Sequence, residues 1–296
     1  MKTLIVLTAT LTLAAASARA GLIMYENFSV TPGTDEGAVF QTKQASGNKW
    51  VSGYTQTEQP LYYAGDLVYP GLEASSGDAK INLNNVTDID RGRISRTCER
   101  DSGPLYVSFL LRVVSTNGLL PDFNGSDNGN GRILSCRSTD GSNVMGLIDD
   151  GAGGFKLAID TRQNSGSPTY TDSLSVNTTY LVVFGNTDDI SVNNSTMSLW
   201  INPTPGGAQG AATITDLWRE SASMTNALYL GNDSNQANGG TLVSVYMDEV
   251  RIGTTWDVVT PAQMSSGTNV IANLTAPATR DVPNPEDLTV VTNLLS

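Results

Sequence analysis

The sequence predicts an all-β protein, on three observations. Short runs of β-branched and aromatic residues recur along most of the 296 residues, separated by clusters of Gly, Asn, Asp and Ser. Charged residues are only 16% and glycines number 29, which suits many tight turns and little solvated helix. No segment sustains the 3.6-residue apolar period of a helix. Turn signals at this spacing predict an antiparallel sandwich of about a dozen strands in two sheets.

Residues 1–20 read as a secretory signal, with Lys2 as the positive end, Leu4 to Ala16 as the apolar core and Ala18-Arg19-Ala20 as the cleavage site. The apolar run is too short for a membrane span, and no second run follows. Cleavage would remove Lys2 and Arg19, leaving 15 of the 17 basic residues against 29 acidic ones, so the formal charge moves from −12 to −14. A surface of that sign repels nucleic acid and anionic membranes and tolerates cations. The expectation is a secreted chain with one domain over 21–260 and a C-terminal extension over 261–296.

Leu22 to Phe28 reads as the first strand. Residues 29–60 hold few apolar anchors and predict a long surface excursion, with Trp50, Tyr54, Tyr62, Tyr63 and Tyr69 as half-exposed aromatics in and around it. Asp66 to Leu72 carries a Tyr-Pro-Gly turn, and Ala79 to Leu83 alternates apolar and polar residues as a strand does. Tyr106 to Val114 is nearly unbroken in its apolar character, which predicts a central strand covered on both faces. Strands are expected next at Arg132–Arg137, Val144–Ile148, Phe155–Ile159, Tyr180–Phe184, Met197–Ile201, Ala227–Leu230 and Leu242–Ile252, parted by turn clusters at 124–131, 140–141, 151–154 and 204–207. Asp216 to Glu220 is expected as one helical turn and Pro261 to Ser265 as a short cap. Residues 257–296 contain four Pro and no aromatic, the composition of an extended tail.

The chain has no His, which excludes Ser-His-Asp and Cys-His nucleophile pairs and His-based zinc sites. A metal here would be a hard cation held by oxygen, calcium being the usual extracellular one. Cys98 and Cys136 are an even pair in an oxidising compartment and are expected to form a disulfide, worth roughly 4 kcal/mol on the chain-entropy model. The alternative is two separate buried thiols.

Four stretches carry a resemblance: Tyr246-Met-Asp-Glu-Val-Arg-Ile-Gly-Thr-Thr-Trp256, Tyr106-Val-Ser-Phe-Leu-Leu-Arg112, Leu199-Trp-Ile-Asn-Pro203 and Tyr69-Pro-Gly-Leu72. In this order they resemble a secreted bacterial branch of the concanavalin A-like superfamily of laminin-G-like jelly rolls, over roughly residues 22–260. The resemblance implies a two-sheet antiparallel jelly roll, carbohydrate binding or cell-surface adhesion, and often one structural calcium. In such folds the first and last strands lie together, and an acid from each holds the ion. Glu26 and Asp248 occupy the matching positions, the alternative being two solvated strand-edge acids. Glu249 is expected to meet solvent or Arg251.

Catalysis finds little support. Glycoside hydrolysis needs two facing carboxyl groups; Asp88 and Asp90 come nearest, but Arg91 and Arg93 stand where further acid would be needed. The loop Asp122 to Asn130 begins like a calcium loop, yet Ile133 takes the place of the closing Glu, leaving an ordinary Asn/Gly turn. Sugar binding needs an aromatic platform beside hydrogen-bonding groups, for which Trp50, Tyr54, Tyr62, Tyr63 and Tyr170 are available, while Trp200 and Trp256 are assigned to the core. The sequence thus points to a secreted recognition domain for an extracellular glycan or matrix component. A polysaccharide-degrading enzyme and a structural surface protein are the alternatives.

Overall fold

The computed structural model describes residues 21–38, 40, 44, 50–52, 60–74, 79–83, 92–97, 102–117, 119, 123, 132–137, 142–161, 168–192, 194–218, 227–232, 244–263, 272–275 and 289–292. Its strands run β1 (Leu22–Glu26), β2 (Val51–Ser52), β3 (Leu61–Ala64), β4 (Ala79–Asn82), β5 (Gly92–Arg96), β6 (Leu105–Val113), β7 (Arg132–Arg137), β8 (Ser142–Asp149) and β9 (Phe155–Thr161). They continue with β10 (Thr169–Tyr170), β11 (Tyr180–Asn186), β12 (Ser195–Ile201), β13 (Ile214–Trp218), β14 (Ala227–Asn232) and β15 (Val245–Gly253). A one-turn helix α1 (Trp256–Val259) follows, then β16 (Ala272–Thr275) and β17 (Thr289–Thr292).

Two antiparallel sheets make the sandwich. The eight-stranded sheet has the order β13-β12-β11-β6-β15-β4-β3, with β1 also paired to β15; the seven-stranded sheet has the order β10-β9-β8-β7-β14-β5-β2. Alternate residues of both sheets meet in one core: Phe109, Val182, Phe184 and Met247 from the first face Ile94, Leu134, Met145, Leu157 and Leu230 from the second. β6 is buried along nearly its whole length, as its unbroken apolar run predicts, because its outer residues are covered too.

That cover sits on the outer face of the eight-stranded sheet. Leu110 of β6 and Leu181 of β11 pack under Leu67 and Leu72, which belong to an irregular strap over 65–74. Further along, Tyr106, Val183 and Trp200 pack under Trp256, Val258 and Val259 of α1, with the Trp200 and Trp256 rings 5.1 Å apart. The Gly-Thr-Thr-Trp ending of β15 explains this turn back: a Cβ at Gly253 would run into the Val258 side chain, so only glycine lets α1 close on the strand. Strap and helix exit are joined by the Leu72–Ala262 bridge and by Gln263 N donating to Gly71 O at 2.7 Å.

Several expectations change. Ile214–Trp218 is a strand, so the helical turn at Asp216 to Glu220 is not formed at its described positions; alternation of half-buried and exposed residues on an edge strand beats the local helical composition. The short helix occupies Trp256–Val259, where the aromatic anchor Trp256 turns the chain, and residues 261–263 of the expected helical or irregular cap are irregular. The extension is not wholly extended tail: β16 and β17 pair antiparallel. Cys98 lies outside the described residues. Cys136 is buried in β7, and β14 intervenes between β7 and β5. The expected Cys98–Cys136 pairing therefore falls partly outside the described residues. The Asp88–Asp90 pair and the loop acids over 124–130 also lie outside the described residues.

Candidate functional site

The terminal strands do lie together, as expected for a fold of this kind. β1 pairs β15 from Leu22↔Gly253 to Glu26↔Val250. β4 pairs the same edge of β15 further back, at Tyr246 and Met247, so β4 and β1 share that edge end to end. Between them β15 bulges, and its register against β6 shifts between Asp248 and Arg251. Glu249 takes φ 53°, a left-handed conformation that side chains rarely adopt, and this extra residue turns Asp248, Glu249 and Arg251 all to the outer face while Val250 enters the core.

The bulge creates a buried charged cluster beneath the strap. Asp248 is 1% exposed, its Oδ2 accepting from Leu67 N at 2.8 Å and its Oδ1 from Glu249 N at 2.8 Å. Burial pushes its carboxyl up to about 8, helped by the neighbouring charges of Glu249 and Asp66. Glu249 is equally buried and its pKa is also raised by burial, with the Tyr25 hydroxyl (2.7 Å) and the Arg251 guanidinium (2.8 Å) acting against that rise. Arg251 stacks over the Tyr25 ring at 4.5 Å and donates to Glu73 O at the end of the strap. The cluster is thus a closed latch between β15 and the strap.

Glu26 is elsewhere. Opposite Val250 in register, it faces the space between the sheets, where its Oε2 accepts from Trp50 Nε1 and from Arg96 of β5, both at 3.0 Å. Burial raises its pKa, and the Trp50, Phe28 and Arg96 contacts oppose the rise. Glu26 and Asp248 therefore point to opposite faces of one sheet, and their donors do not fit a shared calcium. Among the described residues no group of three or more Asp, Glu, Cys or His is arranged to hold a metal.

The aromatics divide in an unexpected way. Trp50 is 1% exposed, packed with Phe28 and Phe40, and Tyr62 is also core, so neither serves a platform. Tyr54 lies outside the described residues, and Tyr170 is half-buried against the Phe123 cluster. Trp200 and Trp256 are buried as expected. Tyr69 is half-buried against the Leu67–Leu72 cluster of the strap, and Tyr63 of β3, also half-buried, stands edge-to-face with Tyr246 of β15 at 5.4 Å. Lys80 of β4 lies 5.4 Å from the Tyr246 centroid, and Arg112 stands opposite Tyr246 on β6. Glu36 lies beside them, accepting from Ala64 N at 3.1 Å. This patch lies on the outer face beside the part that the strap covers. Sequence reasoning named Tyr63 but missed Tyr246, Lys80 and Arg112, because only strand pairing brings positions 63, 80, 112 and 246 together.

No protein-family model matches the chain, and no curated protein matches it. Among solved structures it is similar to a botulinum neurotoxin serotype D/C binding domain, at 15% identity over 82% of this chain and 51% of that one, with a TM-score of 0.46. It is similar also to the alginate lyase Aly36B, at 13% identity over 77% of this chain and 95% of that one, with a TM-score of 0.42. The chain spans about half the length of the neurotoxin structures it matches. At these scores the similarities decide nothing about function.

Proposed function

We propose that the chain is a secreted, non-catalytic carbohydrate-recognition domain of the concanavalin A-like, laminin-G-like type. The Tyr63–Tyr246 pair carries this reading: two half-buried rings on the outer face, set among Lys80, Arg112 and Glu36. Sugars have apolar ring faces and polar edges, so aromatic surface beside fixed hydrogen-bonding groups is what their recognition requires. A hydrolase is less well supported. Asp248 and Glu249 are shut beneath the strap, whereas a hydrolase needs carboxyl groups on both sides of an accessible bond. A structural calcium would need donors other than Glu26 with Asp248.

A glycan array probed with the mature protein, with calcium and again with EDTA, tests the reading. Binding to a defined glycan set, lost in Tyr63→Ala with an unchanged melting temperature, is the expected result. Retention of no glycan at all would sink it and bring the structural surface protein forward.

A further inference from the structure

We infer that the glycan taken at this patch carries an anionic substituent, a carboxylate or a sulfate, seated on Arg112 with the sugar ring against the tyrosines; this rests on the recognition reading above. Register sets the arrangement. Tyr63 stands directly opposite Lys80 across β3 and β4, and Tyr246 opposite Arg112 across β15 and β6, so each ring has a cation on the neighbouring strand.

The local charge runs against that of the chain. The sequence carries a formal net charge of −12, yet this patch sets two cations around the ring pair. Its one acid, Glu36, holds Ala64 N. Lys80 is pinned rather than swinging free, since its Nζ donates to Ala64 O at 2.6 Å and Gly65 O at 3.0 Å. It supplies fixed positive potential beside the Tyr246 ring.

Arg112 differs from the other cations of the sandwich. Arg251 spends its guanidinium on Glu249 and Glu73 O, and Arg96 spends its own on Glu26. The Arg112 Nε, by contrast, is buried and has no hydrogen-bond partner in the structure, although the side chain is only half-buried. The Arg112 guanidinium is thus not committed to the sandwich as those of Arg96 and Arg251 are, and its outer nitrogens are left for an anion to meet. The group that completes a guanidinium fork offers two adjacent acceptor oxygens, as the planar carboxylate of a uronate or the tetrahedral sulfate of a sulfate ester does; a hydroxyl offers one.

The test uses the full chain on an array that places neutral glycans beside their uronate and sulfated counterparts, at physiological salt. The expected result is retention of the acidic member of a pair by roughly tenfold over the neutral one. That preference should be lost in Arg112→Gln and weakened in Arg112→Lys, which keeps the charge and loses the fork. The uronate and sulfate arms identify the anion, and the melting temperatures of both variants check that each is folded. Neutral glycans held as well as acidic ones, or a preference that survives Arg112→Gln, would overturn the inference and leave the recognition reading standing. Polyanion binding that survives Tyr63→Ala would overturn it too, as attraction by charge alone. Retention of no glycan overturns both readings.

Discussion

The β1–β15 pair carries one acid cluster on each of its faces, and the two are solved differently. On the inner side Glu26 meets Arg96 and Trp50 with its side chain 14% exposed and a full set of partners. On the outer side Asp248 and Glu249 are each 1% exposed, and Arg251 is the one cation paired with them among the described residues. Each cluster also holds a bulky residue in the left-handed region: Phe28, φ 53°, whose N–H is fixed by Glu26, and Glu249 itself, φ 53°. Such conformations cost about 1–3 kcal/mol each and persist only where the surroundings over-determine them. The inner acid is a paired ion at a core edge. The outer pair is a latch that must keep a proton.

The largest consequence is in pH. A carboxyl whose pKa rises from 3.8 to about 8 on folding binds its proton more tightly in the folded state. Its contribution is full at pH values below 3.8 and is lost as pH climbs to about 8. Stability should therefore fall between those values by an amount on the order of 5 kcal/mol at most. Denaturant unfolding at several pH values measures the slope, and Asp248→Asn should flatten it. A variant with the same slope as the parent would assign the proton to another group.

Next in size is the loss of the outer cation. Arg251→Ala leaves Glu249 buried without a counter-charge and frees the strap at Glu73, so it should cost about 3–5 kcal/mol. Arg96→Ala, at a pair whose acid keeps the Trp50 and Phe28 N–H donors, should cost less, about 1–3 kcal/mol. Equal losses for the two would erase the distinction between latch and ion pair.

How far this was legible beforehand follows from the range of each interaction. β6 and β15 could be read from local apolar runs, and Gly253 from its place after β15, since each depends on neighbouring residues. The pairing of the first and last strands came from resemblance rather than from any local pattern. The bulge could not be read: Asp248-Glu249-Val250-Arg251 looks like simple alternation with one wet face, and alternation would place Asp248 and Glu249 on opposite sides. The three charges interrupting an apolar run were a partial signal, which the assumption of a solvated face discarded. Trp50 was misread because its polar surroundings in sequence hide the Phe28 ring beside it and the core cluster it joins.

The smallest effect is expected where the inner acid is neutralised in place. Burial raises the Glu26 pKa, so its ionised form is already opposed by desolvation. Glu26→Gln keeps an oxygen to accept from Trp50 Nε1 or from Phe28 N and gives up the charge that Arg96 meets. Arg96, itself 13% exposed, can turn toward solvent, and relief of the buried charge offsets the lost ion pair. The change should stay within about 1 kcal/mol by denaturant unfolding. Glu249→Gln, made on the other face, should cost more, because Arg251 would then be the buried charge without a counter-ion. If Glu26→Gln proved the more damaging, the inner acid would be the one holding the terminal strands in place, and the strap would need another anchor.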